Sequence, residues 1–175
     1  MIAVTHGALP VQIALRSSPE LGQAEGRCRS GESGPAFVVE VLGLKDRRGS
    51  LKLEAYPPDD EDFLADDNVL IAAGKTFRRV VEPVPASGTP YMCIRMPAPG
   101  HYALSLLHDR DGDRKFGFSV DGIGFSGNPR LGWSPPKAAQ VSVATGPAPT
   151  AIAIQLNYRQ GLFGFGPLGG DRAHR

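Results

Sequence analysis

Residues 49–56 read Gly49-Ser50-Leu51-Lys52-Leu53-Glu54-Ala55-Tyr56, and their strict alternation decides the fold class. Leu51, Leu53 and Ala55 fall on one side of an extended chain, and Lys52, Glu54 and Tyr56 on the other. A period of two marks a strand with one face on a core and one towards water. Just upstream, residues 36–44 (AFVVEVLGL) are rich in β-branched side chains, with Phe37, Val39 and Val41 on a common face. The charged turn Lys45-Asp46-Arg47-Arg48-Gly49 joins the two runs, so the pair reads as a hairpin.

Downstream, Pro57-Pro58 ends the second run. Residues 59–70 (DDEDFLADDNVL) are expected to hold one short helical turn, since an acidic start suits a helix N-terminus, with a solvated acidic face. Residues 77–82 predict a third strand, and Arg78 and Arg79 mark it as an edge. Residues 91–96 predict a fourth, closed by Pro97-Ala98-Pro99-Gly100, and residues 101–108 a fifth. Residues 139–144 and 150–158 follow, with Ile152, Ile154, Leu156 and Tyr158 sharing a face. About seven short strands separated by turn signals predict an all-β, antiparallel sandwich. The domain is placed at residues 35–160, after a lead-in at 1–34 and before a flexible Gly-rich tail at 161–175.

At 175 residues and 41% hydrophobic content the chain suits one domain with one core. A net charge of +1 provides no general attraction to nucleic acid, and no apolar run approaches the ~20 residues of a membrane span. Residues 1–15 are fairly apolar but lack a basic start and are interrupted by Pro10. They read either as the remnant of an export signal or as a plain lead-in. Cys28 and Cys93 form no Cys-x-x-Cys pair, which excludes zinc and thioredoxin readings. Either they are bridged, which requires export, or they are two unrelated thiols.

The chemically loaded stretch is His108-Asp109-Arg110-Asp111-Gly112-Asp113. Tyr102, Leu104, Leu106 and His108 share a face, which puts His108 at the end of the core side as a structural histidine. Asp109, Asp111 and Asp113 at alternate positions can curl round a hard cation such as Ca2+, with Asp121 folding back as a fourth ligand. An EF-hand loop counted from Asp109 would need Gly and Glu where Arg114 and Val120 stand. The alternative is that these carboxylates cap the turn's own amides, with Arg110, Arg114 and Lys115 neutralising them. A catalytic His108 and Asp109 would need a nucleophile, but Ser105 and His101 lie on the opposite face and no Gly-x-Ser-x-Gly elbow exists, so no enzyme is expected. The glycines of residues 121–129 follow no βαβ unit, and Ala72-Ala73-Gly74-Lys75-Thr76 lacks the first P-loop glycine. Phe116, Phe118, Phe125 and Trp133 are either an exposed platform for a sugar or protein or a plug for the end of the sandwich, the plug being favoured.

The run Pro99-Gly100-His101-Tyr102-Ala103-Leu104, the turn His108-Asp109-Arg110-Asp111-Gly112-Asp113 and the loop Gly124-Phe125-Ser126 together resemble the bacterial domain of unknown function 2141 family, over residues 35–160. The resemblance implies an immunoglobulin-like or transthyretin-like sandwich, periplasmic or secreted, with no established activity. Of the shared turn, His108, Asp109, Asp111 and Asp113 match. Gly117 stands where the family often has Asp, and the interval before Gly-Phe-Ser is short. The expectation is a non-catalytic binding or structural module of the cell envelope, with a protein or glycan there as its partner.

Overall fold

A computed structural model describes residues 14–162 and 164–169. The expected export-signal stretch falls outside these as far as residue 13, and so do residues 163 and 170–175 of the expected tail. The small sheet has the order β4-β1-β8, from Tyr91–Arg95 (β4), Ala36–Leu42 (β1) and Thr150–Gln155 (β8). The large sheet runs β10-β9-β6-β5-β2-β3, with β7 also paired to β5. Its strands are Ser50–Tyr56 (β2), Arg78–Pro83 (β3), Gly100–Asp109 (β5), Gly122–Phe125 (β6), Ser142–Thr145 (β7), Asn157–Gln160 (β9) and Gly164–Pro167 (β10). Three short helices accompany them: Gln23–Gly26 (α1), Asp67–Ala72 (α2) and Ala138–Val141 (α3). Among the described residues the protein is mostly β, and its ten strands exceed the seven or so expected.

The main core lies between the sheets, where Phe37, Val39 and Val41 of β1 face Leu51, Leu53, Leu104 and Leu106 of β2 and β5. Each of these large apolar side chains contributes roughly 1.5–3 kcal/mol by leaving water. The hairpin of the first two strands is not formed. Both edges of β1 are taken by β4 and β8, and both edges of β2 by β3 and β5. Residues 43–49 therefore arch from one sheet to the other. Alternation cannot tell an arch from a hairpin, because both leave the same side chains on the core. The arch passes so close to β5 that a Cβ on Gly49 would stand 1.9 Å from the Asp109 carbonyl oxygen, at a backbone φ of 70°.

Three further expectations change. The strand at 150–158 is two strands in two sheets: β8 pairs parallel to β1, so the small sheet is not wholly antiparallel, and β9 joins the large sheet after a corner at Leu156. Strands that switch sheets at a corner keep their inward face, so Ile154, Leu156 and Tyr158 all reach the main core. The strand at 139–144 begins as helix α3, and only β7 is extended. Residues 164–167, placed in the flexible tail, form β10 against β9.

From residue 14 onward the lead-in is built into the domain. Arg79 Nη1 donates to the Ser18 carbonyl at 3.0 Å, and the Arg79 amide donates to Gly22 at 3.1 Å. Cys28 is bonded to Cys93 of β4, with Cα atoms 5.8 Å apart. β4 is an edge of the small sheet.

The large sheet is covered on both faces. Tyr56, Phe63, Leu70, Phe77, Ala103 and Phe125 build a second core on its outer side. The face of β2 expected to meet water therefore carries a buried Glu54. The acidic stretch is also less solvated than expected: Asp62 and Asp67 are buried, pairing with Lys75 and Arg79.

Candidate functional site

β5 ends with His108 and Asp109 at one end of the large sheet, and residues 110–121 loop back into β6. Asp109 accepts the amides of Gly112 at 2.8 Å and Arg114 at 3.0 Å. Asp121 accepts those of Arg110 and Gly117, both at 2.8 Å. Asp111 and Asp113 cap Asp113 and Lys115. The amide-capping arrangement is thus complete. One oxygen from each of Asp109, Asp111, Asp113 and Asp121 also lies within 4.8 Å of the other three. Oxygens coordinating calcium at ~2.4 Å are separated by no more than about this distance. Arg110 does not neutralise the cluster as expected, because its guanidinium is taken by Asp46 from the arch.

His108 is inaccessible and fully partnered. Nε2 lies 2.8 Å from the Arg48 carbonyl and Nδ1 lies 2.7 Å from the Tyr158 hydroxyl. With Nε2 carrying the proton, Tyr158 donates to Nδ1 and accepts from the Lys45 amide at 3.2 Å. The neutral ring satisfies every partner, and neither ring nitrogen is open to a reactant. Burial is the main cause that lowers the His108 pKa below 6.5, against the opposing pull of Arg48 and Asp46. Burial likewise pushes the Tyr158 hydroxyl up to about 12.

The sign of the resulting pH dependence follows from proton binding. Below the unfolded histidine pKa of ~6.5 the unfolded chain takes a proton that the folded ring resists. Stability present above pH ~6.5 is therefore lost as the pH falls towards the lowered folded pKa. Thermal melts should give a lower midpoint at pH 5 than at pH 7.5, and His108→Gln should shrink that difference. Equal differences in the two proteins would exclude His108 as the source.

The third feature is an open cleft on the outer face of the large sheet, of about 500 Å³. Its floor is Lys52 and Glu54 of β2, Ser105 and Leu107 of β5, and Ile123 and Phe125 of β6. Its walls come from the acidic loop (Phe116, Phe118), the segment after β6 (Trp133, Pro135) and β10 (Phe165). Phe118 stacks on Phe165 at 5.2 Å and 20°, and on Trp133 at 6.2 Å and 25°. Phe116 meets Phe165 edge-on at 6.0 Å. Trp133 is 82% exposed and Phe116 and Phe118 are partly exposed, so these three do not plug the sandwich; only Phe125 is buried.

Beneath the floor lies a closed charge network. Arg79 Nε donates to Glu54 Oε1 at 2.7 Å, and the Tyr56 hydroxyl donates to Oε2 at 2.8 Å. Burial, and then the Glu54 carboxylate, hold the Tyr56 pKa well above its usual value, so that it remains a donor. Lys52 Nζ is the outlying member, 3.4 Å from Glu54 Oε1 and 3.4 Å from the Arg114 carbonyl.

Sequence reasoning singled out three of the wall aromatics but not Phe165, which lay in the presumed tail, nor the floor, which lay on a presumed solvent face. The Gly-Phe-Ser loop has a structural job. Leu104 donates to Ser126 Oγ at 3.0 Å where β6 gives way to β7 along β5, and Ser126 Oγ donates to the Val141 carbonyl. The serine replaces ladder bonds at that break.

The chain belongs to the domain of unknown function 2141 family, described as an uncharacterized protein conserved in bacteria, which matches residues 39–153. Comparisons with curated proteins and with solved structures gave no match. Among the described residues no helix is long and apolar enough to cross a membrane.

Proposed function

We propose that this member of the family is a non-catalytic, exported binding module of the bacterial cell envelope, periplasmic or secreted, with an immunoglobulin-like sandwich as its frame. The cleft on the outer face of the large sheet is its ligand site. The observation that carries the reading is the open wall of stacked Phe118, Phe165 and Trp133 over a formed floor. A pre-formed cavity of this size, mostly apolar with few polar groups, has the usual character of a small-molecule site. A glycan is the weaker occupant, because its many hydroxyls would meet only Lys52, Glu54, Ser105 and Ser134. The bonded Cys28 and Cys93 support export, since disulfides persist in oxidising compartments. The competing reading, an enzyme using His108 and Asp109, has against it a histidine with both nitrogens engaged and no contact with the cleft.

The probe for the cleft is N-phenyl-1-naphthylamine, an uncharged aromatic. It should bind saturably at one site, and Trp133→Ala with Phe118→Ala should abolish that binding while leaving the melting midpoint within a few degrees. No saturable binding, or binding indifferent to both substitutions, would overturn the reading.

In the same proposal the acidic loop takes a hard cation, on the strength of the four converging oxygens. Calcium at a hundredfold excess over its Kd should stabilise the fold by about 2.7 kcal/mol. Asp113→Asn, which changes an exposed ligand, should reduce that gain. An unchanged melting midpoint at millimolar calcium would remove the cation from the account and leave the cleft untouched.

A further inference from the structure

Resting on the proposed ligand site, we infer that its ligand is an amphiphile: an apolar body seated against Phe118, Phe165 and Trp133, with an anionic group held by Lys52 Nζ. The charge pattern of the floor selects this class. Two charged side chains reach the cleft floor, and they are not equivalent. The Glu54 carboxylate is 8% exposed and already holds Arg79 and Tyr56 at 2.7 and 2.8 Å. Its charge is matched within the protein.

Lys52 is more open, at 20% side-chain exposure, and both of its contacts are long at 3.4 Å. An ammonium has three donors, so at least one is left for a group entering from the cleft. A ligand anion would shorten a weak arrangement rather than break a strong one. A ligand cation would meet Lys52 head-on, with Glu54 already committed to Arg79. Among the described residues Glu54 is the one acid that lines the cleft, and the buried loop acids Asp109 and Asp121 accept backbone amides of their own loop. The apolar walls then desolvate the anion's neighbourhood, which strengthens its pairing with Lys52.

Two probes that share an aromatic body separate the charge from the cavity. 8-Anilinonaphthalene-1-sulfonate carries an anion, and N-phenyl-1-naphthylamine carries none. Lys52→Met keeps the apolar stem and removes the charge. It should weaken the sulfonate by about tenfold or more, the value of one charge-assisted contact, and leave the neutral probe within about twofold. Lys52→Arg should restore most of the sulfonate affinity. Melting midpoints would show that both variants are folded.

If Lys52→Met leaves sulfonate binding unchanged, or weakens both probes alike, the anionic ligand class is overturned while the cleft stands as a site. If neither probe binds the unmodified protein, the cleft reading falls and takes this inference with it.

Discussion

Replacing both Cys28 and Cys93 with alanine should destabilise the protein by about 4 kcal/mol, the loop-closure entropy of a cross-link of this span. The bond joins residues 65 apart in sequence, from the lead-in after α1 to the edge strand β4. Without it the unfolded chain regains that freedom, while the folded chain keeps the Arg27 bridge to Ile94 and the Arg79 bonds to Ser18 and Gly22. For a domain of this size the loss corresponds to a fall of roughly 8–16 °C in the melting midpoint. The cleft lies on the outer face of the large sheet and β4 is in the small one, so probe affinity should hold below the new midpoint. Reductant should reproduce the fall in the unmodified protein and add nothing in the variant. A double variant that melts with the unmodified protein would mean that other contacts hold the lead-in equally well in both states.

Asp121→Ala should cost a further large amount, about 3–5 kcal/mol in urea unfolding. Asp121 is buried, and its two oxygens hold the Arg110 and Gly117 amides across the mouth of the loop. Each bond to a charged acceptor is worth ~1.5–3 kcal/mol, and alanine leaves both amides without that acceptor. Asp121→Asn keeps one carbonyl oxygen and should lose about half as much. Gly117 stands between Phe116 and Phe118, so freeing its amide also releases two aromatics of the cleft wall. Neutral-probe binding should weaken together with stability, which distinguishes this site from the disulfide. A loss below about 1 kcal/mol would contradict the role given to the buried carboxylate.

Much of the frame was legible in the sequence. β2 alternates and β5 sets Tyr102, Leu104 and Leu106 on one face because that face of each lies on the main core, and the arginines of β3 mark a true edge of the large sheet. Asp109, Asp111, Asp113 and Asp121 could be named together because their spacing already suggested a closed loop.

The rest needed long-range pairing. β6 carries Gly122 and Gly124 in only four residues, so it read as loop. Those glycines are required because a Cβ at 122 would stand 2.2 Å from the Tyr158 ring, and one at 124 would stand 2.5 Å from the Gln155 carbonyl oxygen. The same blindness hid the cleft. Lys52 and Glu54 occupy polar positions of an alternating strand, and nothing local reveals that α2, α3 and their loops fold over that face. Phe165 belongs to the wall only because β10 pairs with β9.

In the proposed function the cleft on the outer face of the large sheet is where the apolar ligand binds. Backbone chemical-shift mapping with N-phenyl-1-naphthylamine tests it most directly. The account predicts shifts confined to the floor around Lys52, Ser105 and Ile123 and to the walls around Phe118, Trp133 and Phe165. Shifts centred on the small sheet, or scattered without a focus on the large sheet's outer face, would contradict it.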